Sequence, residues 1–132
     1  MALKDSSPSS RLRVFIVENH DDTRDILSML MSAMGCEVRS VSCMRDALEQ
    51  LPGADADVLL SDIGLPDGDG WELMRRLHLE HPVYAIAMSG YGMAEDRERS
   101  LAAGFRHHLV KPMDIEKLEA LLAEAARERT AH

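Results

Sequence analysis

Residues 58–70 read VLLSDIGLPDGDG. Val58, Leu59 and Leu60 with Ser61 lead into a lone carboxylate, Asp62. Leu65, Pro66 and a Gly/Asp loop then reverse the chain into a segment where Trp71, Met74 and Leu77 recur at helical spacing over 70–78. A short apolar run that ends in an acid and then turns is the pattern of a buried strand delivering a polar group to one edge of a sheet.

The same alternation extends both ways from this stretch. Apolar runs predict further strands at 12–17, 37–41, 84–88 and 108–111, with the central one at 58–61. Between them the period changes. Ile26, Leu27, Leu30, Met31 and Met34 share one helical face before Gly35, and Met44, Ala47, Leu48 and Leu51 do so before Pro52 and Gly53. A last helix is predicted after Asp114 as N-cap, burying Ile115, Leu118, Leu121 and Leu122. The segment MAEDRERSLAAG, residues 93–104, is helical by propensity but poor in large apolar residues, so it is expected to be the most exposed helix.

Five strands alternating with five helices imply an α/β fold with a parallel sheet covered on both faces, because parallel neighbours need crossover connections. In such sheets ligands bind beyond the carboxyl ends of the strands, near the point where strand order reverses. The chemically useful residues fall there: Glu18 and Asn19 after the first strand, Asp62 ending the third, Ser89 after the fourth and Lys111 ending the fifth. Singly, each acid or serine is an ordinary turn or cap residue and the lysine an ordinary reach to water. Jointly, they can converge on one divalent cation and one phosphoryl group.

Composition narrows the class. With 132 residues the chain is about one domain, with no room for a second, output domain. It is 45% hydrophobic and 29% charged, as a soluble globular protein is, and no apolar run reaches the roughly 18 residues of a membrane span. The opening MALKDSSPSS lacks the apolar core of a secretory signal and reads as a mobile tail over 1–11. Cys36 and Cys43 form no C-x-x-C motif and no disulfide framework, which suits a reducing cytoplasm. A formal net charge of -8 without a basic cluster argues against direct nucleic-acid binding.

VEN at 17–19, DIGLPDGDG at 62–70, MSGYG at 88–92 and HLVKP at 108–112 together strongly resemble the receiver domain of two-component response regulators, from residue 12 to 126. The D-x-x-L-P-x-x-x-G spacing and the later K-P are the specific parts. The resemblance implies a flavodoxin-like, doubly wound sheet of strand order 2-1-3-4-5, with residues 127–132 a tail or the end of the last helix. It implies that Asp62 is phosphorylated by a histidine kinase or histidine phosphotransfer protein. Mg²⁺ would be held by Asp62, the backbone carbonyl of Gly64 and the position of Asn19, with Glu18 acting through water. Lys111 would pair with the phosphoryl group, Ser89 would donate its hydroxyl to it, and His108 would stand where the family has an aromatic switch. The peptide before Pro112 would be cis. The signal would leave through residues 93–126, to a downstream protein, to a second copy in a homodimer, or within a hybrid-kinase chain. On this reading the domain is no enzyme acting on external substrates.

Asn19 departs from the family, which has two acids where this chain has Glu18 and Asn19. A unit charge pair at about 4 Å is worth roughly 1 kcal/mol in water and about 4 kcal/mol at an effective dielectric near 20. The missing charge therefore predicts at least about tenfold weaker Mg²⁺ binding, although Asn still offers a carbonyl oxygen. The rival within the family is a degenerate receiver that signals by contact without phosphorylation. An Asp-nucleophile phosphatase of the haloacid-dehalogenase kind fails because Gly64 stands where its second Asp belongs, two residues past Asp62. Asp21 and Asp22 are read as capping the first helix and favouring its dipole, with partial compensation for the missing charge as the alternative. DGDG at 67–70 is a loop and not a calcium site, since the ligand and Gly positions of such a site fall on Trp71 and Glu72. His107 and His108 should face opposite sides of a strand, and the nine methionines read as core filler.

Overall fold

Val14, Phe15, Ile16 and Val17 are all buried, yet they pack alternately: Val14 and Ile16 enter one apolar cluster, Phe15 and Val17 the other. The period of two that a strand imposes on its side chains thus feeds two hydrophobic layers, one on each face of a single sheet. The central strand repeats the pattern, with Val58 and Leu60 on one side and Leu59 on the other. Such a strand must be covered on both faces, and the helices do this. Leu27, Met31, Leu118 and Leu122 close the first layer, whereas Ala47, Leu51, Trp71 and Leu73 close the second. Each large side chain buried in this way contributes about 1.5–3 kcal/mol before the entropy of ordering it is counted.

The computed structural model describes residues 11–90 and 94–130. In chain order the elements are β1 (Arg13–Val17), α1 (Asp21–Ala33), β2 (Glu37–Val41), α2 (Met44–Ala54), β3 (Val58–Asp62), α3 (Gly70–Arg76), β4 (Tyr84–Ser89), α4 (Ala94–Ala103), β5 (His107–Val110) and α5 (Ile115–Thr130). All neighbours in the sheet are parallel, in the order β2-β1-β3-β4-β5. This is the flavodoxin-like order expected from the sequence. Between β3 and α3, Gly64–Leu65 and Gly68–Asp69 pair as a separate two-stranded antiparallel ladder. The reversal of strand order lies between β1 and β3, so their carboxyl ends open into one crevice.

Several boundaries and burials differ from expectation. Helix α2 does not stop before Pro52 but carries it in its last turn and ends at Ala54, with Asp55 as C-cap in the left-handed conformation at φ 53. A proline so near the helix end removes only one backbone bond there. Helix α3 ends at Arg76, short of His78, with Leu77 extended at its C-cap. Ile26 and Ile115, expected inward, are 57% and 37% exposed. They border a groove of about 430 Å³ with Leu27, Leu30, Met88 and Met113. Helix α4 is as exposed as its composition predicts, with Ser100 its one buried residue among those described. The tail expected at 1–11 lies outside the described residues except for Arg11, as do Tyr91, Gly92 and Met93.

Candidate phosphoacceptor site

Three strand ends carry the charged groups of the crevice. Glu18 follows β1, and its backbone N–H donates to the Val41 carbonyl at 3.1 Å, so the parallel register continues one residue past the strand. Its side chain is wholly buried. Asp62 closes β3, where Ile63 N–H donates to the Met88 carbonyl at 2.9 Å. Lys111 follows β5, anchored by its own N–H to the Ser89 carbonyl at 2.8 Å. The ladder bonds of the sheet therefore fix the position from which each side chain departs.

The side chains then meet. Lys111 Nζ lies 2.7 Å from Glu18 Oε1 and 3.0 Å from Asp62 Oδ1. The second oxygen of Glu18 accepts the backbone N–H of His20 at 3.0 Å. Arg24 closes the loop beneath, donating to the Glu18 carbonyl at 2.9 Å and to Asp21 at 2.7 Å. Asp21 and Asp22 sit in the first turn of α1, whose N-cap is His20 with no side-chain cap bond. They act on the helix dipole and do not cap it.

Two carboxylates sharing one ammonium cannot both hold their charge at ordinary cost. Burial pushes Asp62 up, to about 6, and the neighbouring Glu18 adds to the rise against the pull of Lys111. Burial also presses Glu18 upward, but Lys111 and the His20 N–H outweigh it and hold that carboxyl below its usual range. Burial opposes the Lys111 charge, and its two carboxylate partners overcome it, raising the ammonium. Glu18 is thus the resident anion, while Asp62 is the carboxyl whose proton is easily gained and lost.

The loop after Asp62 is built to hold that residue still. A Cβ added at Gly70 would lie 2.8 Å from the Asp62 carbonyl oxygen, so only glycine lets the start of α3 pack this closely on the end of β3. The Gly70 N–H donates to the Ile63 carbonyl at 2.8 Å. Asp67 accepts the N–H groups of Met44 and Arg45 at 2.8 and 2.9 Å, tying the loop to the N-terminus of α2. Burial pushes the Asp67 carboxyl up, but the N–H groups of Arg45 and Met44 together outweigh it and hold that carboxyl below its usual range. Asp69 caps α3 through Glu72 N–H at 2.7 Å. In the sequence these aspartates read only as loop residues, and no local pattern shows that Asp67 reaches a helix 23 residues away.

Of the residues expected around a cation, Glu18 and Asp62 come together, with Asn19 exposed on the same loop and Gly64 exposed two residues past Asp62. The structure adds His20. Its Nδ1 is 3.3 Å from Glu18 Oε2, and Glu18, His20 and Asp62 each offer a ligand atom within 4.8 Å of the others. Two buried hard oxygens suit Mg²⁺, so the residues present fit that ion. The signal for His20 was its place two residues after Glu18 at a strand end.

Ser89 and His108 are also in contact, with Ser89 Oγ 2.7 Å from His108 Nε2. The other ring nitrogen lies 2.9 Å from Ser100 Oγ on α4, which in turn accepts Trp71 Nε1–H at 2.9 Å. His107 points the other way, as a strand requires, toward Tyr84 and Glu124. Asp114 caps α5 through Glu116 N–H at 2.9 Å, and the Lys111–Pro112 peptide is cis.

Comparison with known proteins agrees with this geometry. Residues 14–123 match the model of the family described as the response regulator receiver domain. The chain is 34% identical to the response regulator protein PilR of Pseudomonas aeruginosa over 121 residues, which is 91% of this chain but 27% of PilR. It is 31% identical to a 14.6 kDa protein of Leptolyngbya boryana over 118 residues, covering 87% of this chain and 90% of that one. Among solved structures, the CheY-like receiver domain protein of Methanospirillum hungatei superposes with a TM-score of 0.79 at 27% identity, covering 89% of this chain and 98% of that one. This chain therefore spans less than a third of PilR, although nearly the whole of the two smaller proteins.

Proposed function

This chain belongs to the response regulator receiver family, and from that premise we propose that it takes a phosphoryl group from a phosphohistidine onto Asp62. The observation that carries the proposal is the convergence of Asp62, Glu18 and Lys111 from three strand ends, with the ammonium 2.7 and 3.0 Å from the two carboxylates.

The roles follow from charge. An Asp62 oxygen attacks the phosphorus of the donor, the P–N bond breaks, and its electron pair stays on the departing imidazole. Before this the proton on Asp62 must leave, which a pKa of about 6 allows near neutral pH. Lys111, released from Asp62, is placed to hold a phosphoryl oxygen as a point charge. Ser89, at the end of β4, donates its hydroxyl to another. Glu18 and Asp62, with Asn19 and the Gly64 carbonyl beside them, would hold Mg²⁺, which when bound supplies the charge neutralisation that lets an anionic nucleophile approach an anionic phosphoryl group.

His108 at Ser89 is the residue through which the phosphorylated state would reach α4, β5 and α5. That face, residues 93–126, is the proposed contact for a downstream protein, a second copy, or another domain of a longer chain. The donor partner is a histidine kinase or histidine phosphotransfer protein. Among the described residues no helix is long and apolar enough to cross a membrane.

The test is incubation with a small acyl phosphate and Mg²⁺, with hydroxylamine-labile phosphate measured on the protein. Label in the parent and none in Asp62→Ala supports the reading. Equal label in both contradicts it.

A further inference from the structure

The hydrogen bonds from Trp71 to Ser89 form one line through the second hydrophobic layer, and they have a direction. Trp71 Nε1 can only donate, so Ser100 Oγ is an acceptor at 2.9 Å. Ser100 is completely buried, and among the described residues the one other partner of its hydroxyl is His108 Nδ1, at 2.9 Å. It does not bond back to its own helix as Ser28 does to the Arg24 carbonyl. An Nδ1–H ring, neutral or charged, would aim a second donor at Ser100 and leave the Ser100 proton with no acceptor in a buried place, at the full desolvation cost of that group. The economical arrangement has Ser100 donating to a bare Nδ1. The ring proton then sits on Nε2 and is given to Ser89 Oγ at 2.7 Å.

We propose that Ser100 and Trp71 are positioning residues for the phosphoryl site: they fix His108 as its Nε2–H tautomer, so that Ser89 accepts from the ring and directs its own hydroxyl proton toward a phosphoryl oxygen. The proposal rests on the reading of Asp62 as phosphoacceptor and adds to it the source of Ser89's orientation. A serine that had to donate to a bare Nε2 would present lone pairs to an incoming phosphoryl group and repel it. The line also gives the site an exit. Trp71 lies under the guanidinium of Arg99, 4.0 Å above its ring, so a change at Ser89 reaches the outer surface of α3 and α4 through groups already in contact.

The sequence carries this only in hindsight. Ser100 is the one polar residue buried in a helix otherwise poor in apolar residues, and a buried serine with nothing to bind would be a defect.

The test has two readouts. Long-range proton–nitrogen NMR correlation of nitrogen-labelled protein assigns the His108 tautomer, and labelling by an acyl phosphate gives the rate at Asp62. The parent is expected to show protonated Nε2 and bare Nδ1. Ser100→Ala, checked for folding by circular dichroism, is expected to admit the other tautomer and to slow labelling about five- to tenfold, the worth of one oriented hydrogen bond, with half-saturating Mg²⁺ unchanged. Ser100→Thr should restore both. An Nδ1–H ring in the parent overturns the proposal, and so does a Ser100→Ala protein with the parent's tautomer and rate. Absence of label in every protein overturns the phosphoacceptor reading instead, and the ring tautomer then still decides the relay.

Discussion

Lys111 Nζ lies 2.7 Å from Glu18 Oε1 across 93 residues of sequence. With Asp62 at 3.0 Å, this one ammonium serves two carboxylates whose side chains are 0% and 8% exposed, and it can neutralise only one of their two charges. It stands where a metal and a phosphoryl group would otherwise supply or demand charge. The site is thus one positive charge short of two ionised carboxylates, and each of its members should respond when another is changed.

Lys111→Met leaves the Glu18–Asp62 pair without its cation. The expected loss of stability near neutral pH is roughly 3 kcal/mol, at the low end for a broken buried pair because Lys111 keeps a quarter of its side chain exposed. Denaturant unfolding checks it. The loss should shrink near pH 5, where Asp62 can take up a proton in place of the missing cation.

Asp62→Asn should stabilise the fold, and more so at higher pH. A carboxyl raised from 3.8 to about 6 binds more protons folded than unfolded between those values, so its contribution makes stability fall as pH rises through that window. Asparagine removes the fall. The variant's advantage should be near zero around pH 4 and on the order of 1–3 kcal/mol above about pH 7. Parallel pH-dependent melts of the two proteins measure it, and an advantage that is constant with pH would refute the assignment.

The metal preference should depend on two neighbours differently. Asn19→Asp adds a hard oxygen anion and should tighten Mg²⁺ about tenfold or more. His20→Ala should leave Mg²⁺ affinity within about twofold but weaken Mn²⁺ and Zn²⁺ several-fold, because imidazole nitrogen favours the later metals. Calorimetric titration of each ion into each protein separates the two effects.

Asp67→Ala should destabilise the protein by about 1–2 kcal/mol without touching the charged crevice. It removes the acceptor for two N–H groups at the start of α2, those of Met44 and Arg45. Since those bonds hold the Asp67 carboxyl below its usual range, this contribution is present above the unfolded carboxyl range and is lost as pH falls through the folded one. Thermal melts at two pH values check both the size and the sign.

The sheet was legible because strands buried on both faces are written as short apolar runs, and the polar groups at their ends mark the carboxyl edge. Glu18, Asp62, Ser89 and Lys111 could be placed at one edge by that rule alone. What the sequence hid depends on long-range contact. Nothing local marks Ser100 as the partner of both Trp71 and His108, because a serine in a polar helix looks solvated. Ile26 and Ile115 fit a helical face by spacing and still border an open groove, since spacing cannot show which positions of that face a neighbour covers. Pro52 reads as a stop signal, yet the last turn of a helix tolerates it.

The most direct test of the central claim is to trap the modified residue itself. After labelling with an acyl phosphate and Mg²⁺, borohydride reduction converts a phosphorylated aspartate to homoserine, and tandem mass spectrometry of the peptide spanning Asp57, Asp62, Asp67 and Asp69 reads which position changed. Homoserine at 62 alone is the predicted result. Homoserine at another of these aspartates, or at none while Asn19→Asp becomes labelled, would show that Asp62 is not a working phosphoacceptor in this chain.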